Sequence, residues 1–448
     1  MQRSQAFAKL QGIKQEHLAS YWDILSEHQK QQFLQQVENL DSFTVQQFQS
    51  LVAKHQQREN SEKLEVFDDY IMAGSKELYE EGLHCLAQGL VGCLVVAGGQ
   101  GTRLGVDGPK GIYPVTVIRQ KSLFQLLAEK CKAAGQRVGQ PLLMAIMTSS
   151  QNHEQTVQFF RTHEFFGLDS EQVSFFSQGM SPFLDDAGNM FLDAPHHIAE
   201  GPNGNGTALQ NFVKAGIWSL WKEQGVRYVN FLQVDNALAD PFDAELIGFH
   251  HRNASEVTIK STLRNHVDEK VGLIVRRGGR VAIVEYSEIP RNEQQAILDD
   301  GRLKHRCANI STFCLKMGVV KRIAENTAAL PWHLAYKKVD SLEGKVTKAW
   351  KREKFIIDML DQADKVRVIL YPRHRCFAPL KNAKGSNTIE SVKKSLQAFE
   401  KEIFEALAET KAPSHPFELA PVFYYPTAEL ISQWKGKPWP QGQNYLQE

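Results

Sequence analysis

The sequence predicts an α/β protein built on a doubly wound, mainly parallel sheet, preceded by a helical region and followed by a small C-terminal region. Three observations predict it. Apolar runs of strand length recur at 90–97, 141–148, 173–176, 228–234, 256–263 and 366–371. Helical patterns separate them, as at 122–134 and 207–221. The first run ends in glycines, as a strand does where it opens onto a ligand in such sheets. The expected division is 1–64 helical, 65–394 the α/β domain and 395–448 a small cap.

Taken in order, Leu18, Trp22 and Leu25 recur at i, i+4, i+7 and predict helix. Ser26 with Gln29 forms a capping box for a second helix, which buries Phe33, Leu34, Val37 and Leu40. A third helix carries Val45, Phe48, Leu51 and Val52, and the charged, Gln-rich stretch 55–63 reads as a linker. This region carries no chemistry of its own and reads as a packing element. The run 90–97 is too short for a buried helix and predicts a central strand. At 271–289 two alternating runs flank Arg277-Gly278-Gly279-Arg280, the signature of an antiparallel hairpin that could wall a pocket.

Lys and Arg number 52 against 51 Asp and Glu. That balance leaves no basic footprint for nucleic acid or an anionic membrane, so neither partner is expected. The six cysteines include no CxxC pair and several sit in apolar runs, which predicts buried thiols in a reducing cytoplasm. No secretory leader is recognisable, and no stretch approaches ~20 consecutive apolar residues.

The most informative stretch runs from Leu94 through Gly105, followed by Gly108-Pro109-Lys110-Gly111. Gly98, Gly99 and Gly101 lack the Cβ atoms that would block close backbone approach to a ligand, and exposed amides there bind phosphate oxygens. Arg103 and Lys110 add two cations on the same loop, enough to hold a triphosphate. Walker A spacing is excluded because no Gly-Lys-Ser/Thr follows. Leu104 stands where a dinucleotide fingerprint needs its third glycine, which disfavours an oxidoreductase.

Ala97-Gly-Gly-Gln-Gly-Thr-Arg-Leu-Gly105 with Pro109-Lys110 resembles the nucleotide-binding signature of sugar-nucleotide pyrophosphorylases. The longer pattern resembles the eukaryotic-type UDP-N-acetylhexosamine pyrophosphorylases, within the UDP-sugar pyrophosphorylase family. It includes Gln15-Glu-His-Leu18, Phe175-Phe-Ser-Gln-Gly-Met180, Asn203-Gly-Asn-Gly206 and Val234-Asp-Asn236. It continues through Val271-Gly272, Val284-Glu-Tyr-Ser-Glu288, Ala308-Asn-Ile310, Glu353-Lys-Phe355 and Pro379-Leu-Lys-Asn382. The resemblance implies a Rossmann-like nucleotidyltransferase sheet that makes a UDP-sugar and pyrophosphate from UTP and a sugar 1-phosphate.

That resemblance also implies roles. Ala97, Gly98, Gly99, Gly101, Thr102, Gln178 and Gly204 would bind the nucleotide, the Gln178 amide reading uracil. Arg103, Lys110 and Lys381 would be the catalytic cations. Asp235, at a strand's carboxyl end, would hold Mg²⁺ or Mn²⁺, and Asp358 could add a second metal contact. Asn205, Gly272, Glu285 and Asn309 would bind the sugar. UDP-glucose pyrophosphorylases typically carry His where Asn205 stands, so the resemblance favours an N-acetylated sugar, although Asn between glycines also commonly adopts the left-handed conformation. His196-His197 with Glu200 matches no metal motif and reads as a loop pair.

Two departures stand out: Cys307-Ala-Asn309 replaces Ala-Gly-Asn, and the C-terminal part is shorter than in the eukaryotic relatives. A monomer or weak homodimer is expected. Glucose 1-phosphate as substrate, a broad UDP-sugar pyrophosphorylase and a non-catalytic UDP-sugar-binding protein remain the alternatives.

Overall fold

The computed structural model describes residues 1–55, 64–342, 344 and 346–447. Apart from His55, which ends a helix, the expected linker lies outside them. The chain divides into two compact units. The larger comprises 63–178, 208–328 and 357–448; the other comprises 1–62, 179–207 and 329–356.

The larger unit is organised by one ten-stranded sheet. Its strands are β1 (Ile71–Met72), β2 (Val91–Val96), β3 (Leu143–Thr148), β4 (Val173–Ser177), β5 (Tyr228–Gln233), β6 (Val257–Leu263), β7 (Leu273–Arg277), β8 (Arg280–Val284), β9 (Cys307–Lys316) and β10 (Val366–Leu370). The order is β1-β10-β6-β9-β5-β2-β3-β4, with the β7–β8 hairpin joined to the start of β9. All pairings along this path are parallel except those of β9, which runs antiparallel to both neighbours. The hairpin expected around Gly278-Gly279 is present.

Strand β2 is buried along nearly its whole length, as a central parallel strand covered on both faces must be. The helix Leu123–Val138 packs on it, opened by Ser122, whose hydroxyl accepts from Gln125 N, and closed by Gly139 at φ 68. The chain runs β2-β3-β4 outward in one direction and then returns to place β5 on the other side of β2. The order therefore reverses between β2 and β5, and the two following loops diverge there. The helix Ile389–Ala408 and the segment after it belong to this unit, with Tyr425 donating to Asp240 and Lys121 3.8 Å from Glu418.

Some expected helices take other forms. The span 207–221 is two helices, Ala208–Lys214 and Ile217–Glu223, because Gly216 at φ 77 breaks the ladder. Asp358, the candidate second metal contact, lies in the 3-10 segment Ile356–Gln362.

In the smaller unit, Leu18, Trp22 and Leu25 are buried, but Leu18 and Trp22 lie on the 3-10 turns Glu16–Ala19 and Trp22–Ile24. The chain turns extended at Leu25 to reach the capping box at Ser26, so no continuous α-helix can form. The capping box itself opens Glu27–Asn39 as expected. Leu10, Phe33, Val37 and Phe48 share a core with Leu184, Met190 and Ile198. Beside it, Arg352 donates to Ser181 Oγ at 2.8 Å and Thr44 O at 2.7 Å, and burial lowers its pKa to about 10. The N-terminal helices are thus built into a unit with two later segments. Among the described residues no helix is long and apolar enough to cross a membrane, and all six cysteines are buried free thiols.

Candidate active site

Strands β2, β3 and β4 are adjacent and parallel, so the segments that follow them emerge along one edge of the sheet. After β2, Ala97 N donates to Met147 O at 2.7 Å, and the chain then folds back on itself. Gly101 N reaches Gly108 O at 2.8 Å and Lys110 N reaches Gly99 O at 3.1 Å, closing the glycine loop. After β4, Gln178 N donates to Thr148 O at 2.8 Å, and its side chain, 8% exposed, lies against Gly98. A Cβ on Gly98 would overlap that amide, so a larger residue there would displace the Gln178 side chain from the loop. The loop and the glutamine are brought together, while Gly99, Thr102 and Arg103 stay exposed.

Across the reversal in strand order, Lys110 Nζ lies 3.5 Å from Asp235 Oδ2, with both side chains about seven-eighths buried. Asp235 follows β5, and its carbonyl accepts from Leu380 N at 2.8 Å. Lys381 N donates to Asn387 O at 2.9 Å, and Ala383 N donates to Arg103 O at 3.2 Å. The segment carrying Lys381 is therefore tied both to Asp235 and to the glycine loop.

A residue quoted in the motif 234–236, but given no role from the sequence, makes this join. Asn236, 3% exposed, donates from Nδ2 to Cys376 O at 2.7 Å and accepts at Oδ1 from Ala378 N at 2.8 Å. The motif did not name its partners, which are about 140 residues away.

Among the described residues no group of three or more His, Cys, Asp or Glu side chains could hold a metal by itself. The partly buried Asp235 carboxylate, on the edge that bears the glycine loop, nevertheless fits Mg²⁺, which takes one or two protein carboxylates and fills its remaining positions from phosphate and water.

The expected sugar residues form a second group in the same unit. Asn309 N donates to Gly272 O at 2.8 Å, and a Cβ on Gly272 would lie 3.3 Å from Glu285 Oε1 and 3.5 Å from Asn309 Cβ. Because β9 is antiparallel to β5 in the register Phe313↔Phe231, its early residues extend past the carboxyl end of β5, the edge that bears Asp235. A bulge interrupts β9, with Ser311 at φ 54 and its N–H donating to Asn309 Oδ1 at 2.9 Å. Cys307 and Ala308 are completely buried, so the departure from Ala-Gly is absorbed beneath the site.

Gly204 and Asn205 belong to the smaller unit. The left-handed residue is Gly204, at φ 92, where a Cβ would overlap Lys354 O; Asn205 itself opens a 3-10 turn. Asn205 Oδ1 accepts from Ile356 N at 3.0 Å, which leaves its Nδ2 as the donor end. His197 Nδ1 pairs with Asp193 Oδ1 at 2.6 Å, a hydrogen bond that raises the imidazole pKa.

A family model described as UTP–glucose-1-phosphate uridylyltransferase matches residues 25–416. UDP-N-acetylglucosamine diphosphorylase 2 of Arabidopsis thaliana is 30% identical over 402 residues, covering 85% of this chain and 80% of that protein. UDP-N-acetylglucosamine pyrophosphorylase of Saccharomyces cerevisiae is 34% identical over 325 residues, covering 69% and 68% respectively. Among solved structures, the uridine diphosphate N-acetylglucosamine pyrophosphorylase of Trypanosoma brucei, in complex with inhibitor, aligns with a TM-score of 0.84 at 25% identity, over 100% of this chain and 99% of that one.

Proposed function

The chain belongs to the UTP–glucose-1-phosphate uridylyltransferase family, and from that membership we propose that it joins UTP to N-acetylglucosamine 1-phosphate, forming UDP-N-acetylglucosamine and pyrophosphate. The observation that carries the reading is the group of Arg103, Lys110, Asp235 and Lys381 at the reversal of strand order. Relatives named for the N-acetylglucosamine reaction support the choice of sugar.

In the mechanism, an oxygen of the sugar phosphate attacks the α-phosphorus of UTP in line. One P–O bond forms, the α–β bridging P–O bond breaks, and pyrophosphate leaves with the electron pair. The nucleophile is already an anion, so no general base is required, and catalysis consists of positioning and charge neutralisation. Lys110 neutralises the α-phosphoryl oxygens, Arg103 steadies the departing phosphates and Lys381 holds the attacking phosphate. Asp235 is the residue that would hold Mg²⁺, which supplies further positive charge to the phosphate oxygens. Gln178 pairs with the uracil edge. Glu285 and Asn309 hydrogen-bond the sugar.

The test is pyrophosphate release by the purified protein with UTP, Mg²⁺ and, separately, N-acetylglucosamine, N-acetylgalactosamine and glucose 1-phosphates. Preference for the first supports the proposal. Preference for glucose 1-phosphate keeps the reaction and discards the N-acetylated sugar, and no release with any sugar discards the enzymatic reading.

A further inference from the structure

The loop of Ala97–Gly99 is held from behind by one side chain. Asn152 lies in the turn after β3, 1% exposed, and is the N-cap of the helix His153–Thr162. An Asn at that position ordinarily accepts a hydrogen bond from an N–H of the first helical turn. Here it makes no such bond. Its Nδ2 instead donates to Ala97 O at 3.1 Å and to Gly99 O at 3.3 Å. Its Oδ1 accepts from Ser149 N at 2.8 Å and Ser149 Oγ at 3.1 Å. Two donors and two acceptors are all that a carboxamide has, so every one is committed.

Peptide planarity then sets the direction of the neighbouring amides. In a trans peptide the C=O and the next N–H point in opposite directions. Holding Ala97 O toward Asn152 turns the Gly98 N–H away from it, and Gly99 O, which Asn152 holds together with Lys110 N, directs the Gln100 N–H in the same way. Among the described residues neither amide has a hydrogen-bond acceptor. Gly99, between them, is exposed and has open space where a side chain would be.

We propose that Asn152 is a positioning residue for the nucleotide: its two amide hydrogens hold the Ala97 and Gly99 carbonyls so that the Gly98 and Gln100 N–H groups face acceptor atoms of a uridine nucleotide. The inference rests on the uridylyltransferase reading above. It gives a role to Asn152, which the glycine-loop pattern does not include, and it explains why the helix cap is forgone.

Asn152→Asp keeps the size of the side chain and the acceptors for Ser149 but removes both donors, and Asn152→Ala removes the whole group. UTP affinity is measured by titration on folded protein, alongside steady-state kinetics. The expected result is a KM and Kd for UTP raised about 10–100-fold, with kcat and the KM for the sugar phosphate changed less than about threefold. A purely structural role would lower the melting temperature and leave UTP affinity unchanged; affinity within about twofold of wild type overturns the proposal.

Should the variants not fold, amide hydrogen exchange on the wild-type protein decides the matter. Protection of Gly98 and Gln100 on adding UTP is expected, and its absence overturns the proposal. Wild-type protein that fails to bind UTP at all overturns the uridylyltransferase reading, and this inference falls with it. Binding without protection overturns this inference alone.

Discussion

Lys110 Nζ and Asp235 Oδ2 lie 3.5 Å apart across the point where the strand order reverses, one on the loop after β2 and the other after β5. The pair joins the glycine loop to the carboxylate proposed to hold Mg²⁺. Each partner keeps the other from being a buried, uncompensated charge.

Lys110→Ala removes the cation proposed to face the α-phosphoryl group. We expect kcat to fall about 10²–10³-fold, as for loss of one transition-state charge contact, with the far-ultraviolet circular dichroism spectrum retained. Turnover near wild type would remove Lys110 from the mechanism.

Asp235→Asn preserves shape and the backbone bond from Leu380 N to Asp235 O, so the Lys381 segment should stay in place. The expected outcome is a kcat at least about 10²-fold lower and a Mg²⁺ titration shifted to higher concentration. An unchanged metal titration would move the metal elsewhere.

Asn309→Asp tests which end of the amide the sugar uses. Oδ1 already accepts from Ser311 N and one Nδ2 hydrogen goes to Ser311 Oγ at 3.4 Å, so the second Nδ2 hydrogen is the donor left to offer. The KM for the sugar phosphate should rise about 10-fold or more while the KM for UTP is unchanged. An unaltered sugar KM would show that Asn309 contributes no donor.

Glu400 bears on stability against pH. Burial raises its carboxyl pKa to about 8, opposed by the hydrogen bond from Tyr424. Its folded pKa is raised, so the stability it permits is full below about pH 4.3, its unfolded value, and falls as pH rises toward 8. Glu400→Gln should therefore stabilise the protein near pH 8 by about 2–4 kcal/mol and flatten the decline between those values. Denaturant melts at pH 5 and pH 8 read this directly, and an equal effect at both would contradict the assignment.

Much of the candidate site is legible in the sequence. The glycine loop, Arg103 and Lys110 lie within a few residues of one another, and Asp235 ends an apolar run, so position along the chain already implies position in the sheet. Asn236 and Asn152 are not legible in this way. Their work is to hold backbone carbonyls and amides up to 142 residues away, and neither lies in a local pattern that names its partner. The helical pattern expected at 207–221 is present but split in two for a local reason, the left-handed Gly216.

By itself, the order of apolar runs, helical patterns and glycines determined the α/β class, the mainly parallel sheet and the edge that carries the glycine loop. Those follow from period and from backbone sterics, which act over a few residues. Only the tertiary structure decided that β9 runs antiparallel, that 179–207 and 329–356 cluster with the N-terminal helices, and that Lys110 meets Asp235. Such pairings depend on which distant surfaces bury each other and on which backbone groups then need partners. That complementarity is a property of the folded chain, and no local stretch of sequence carries it.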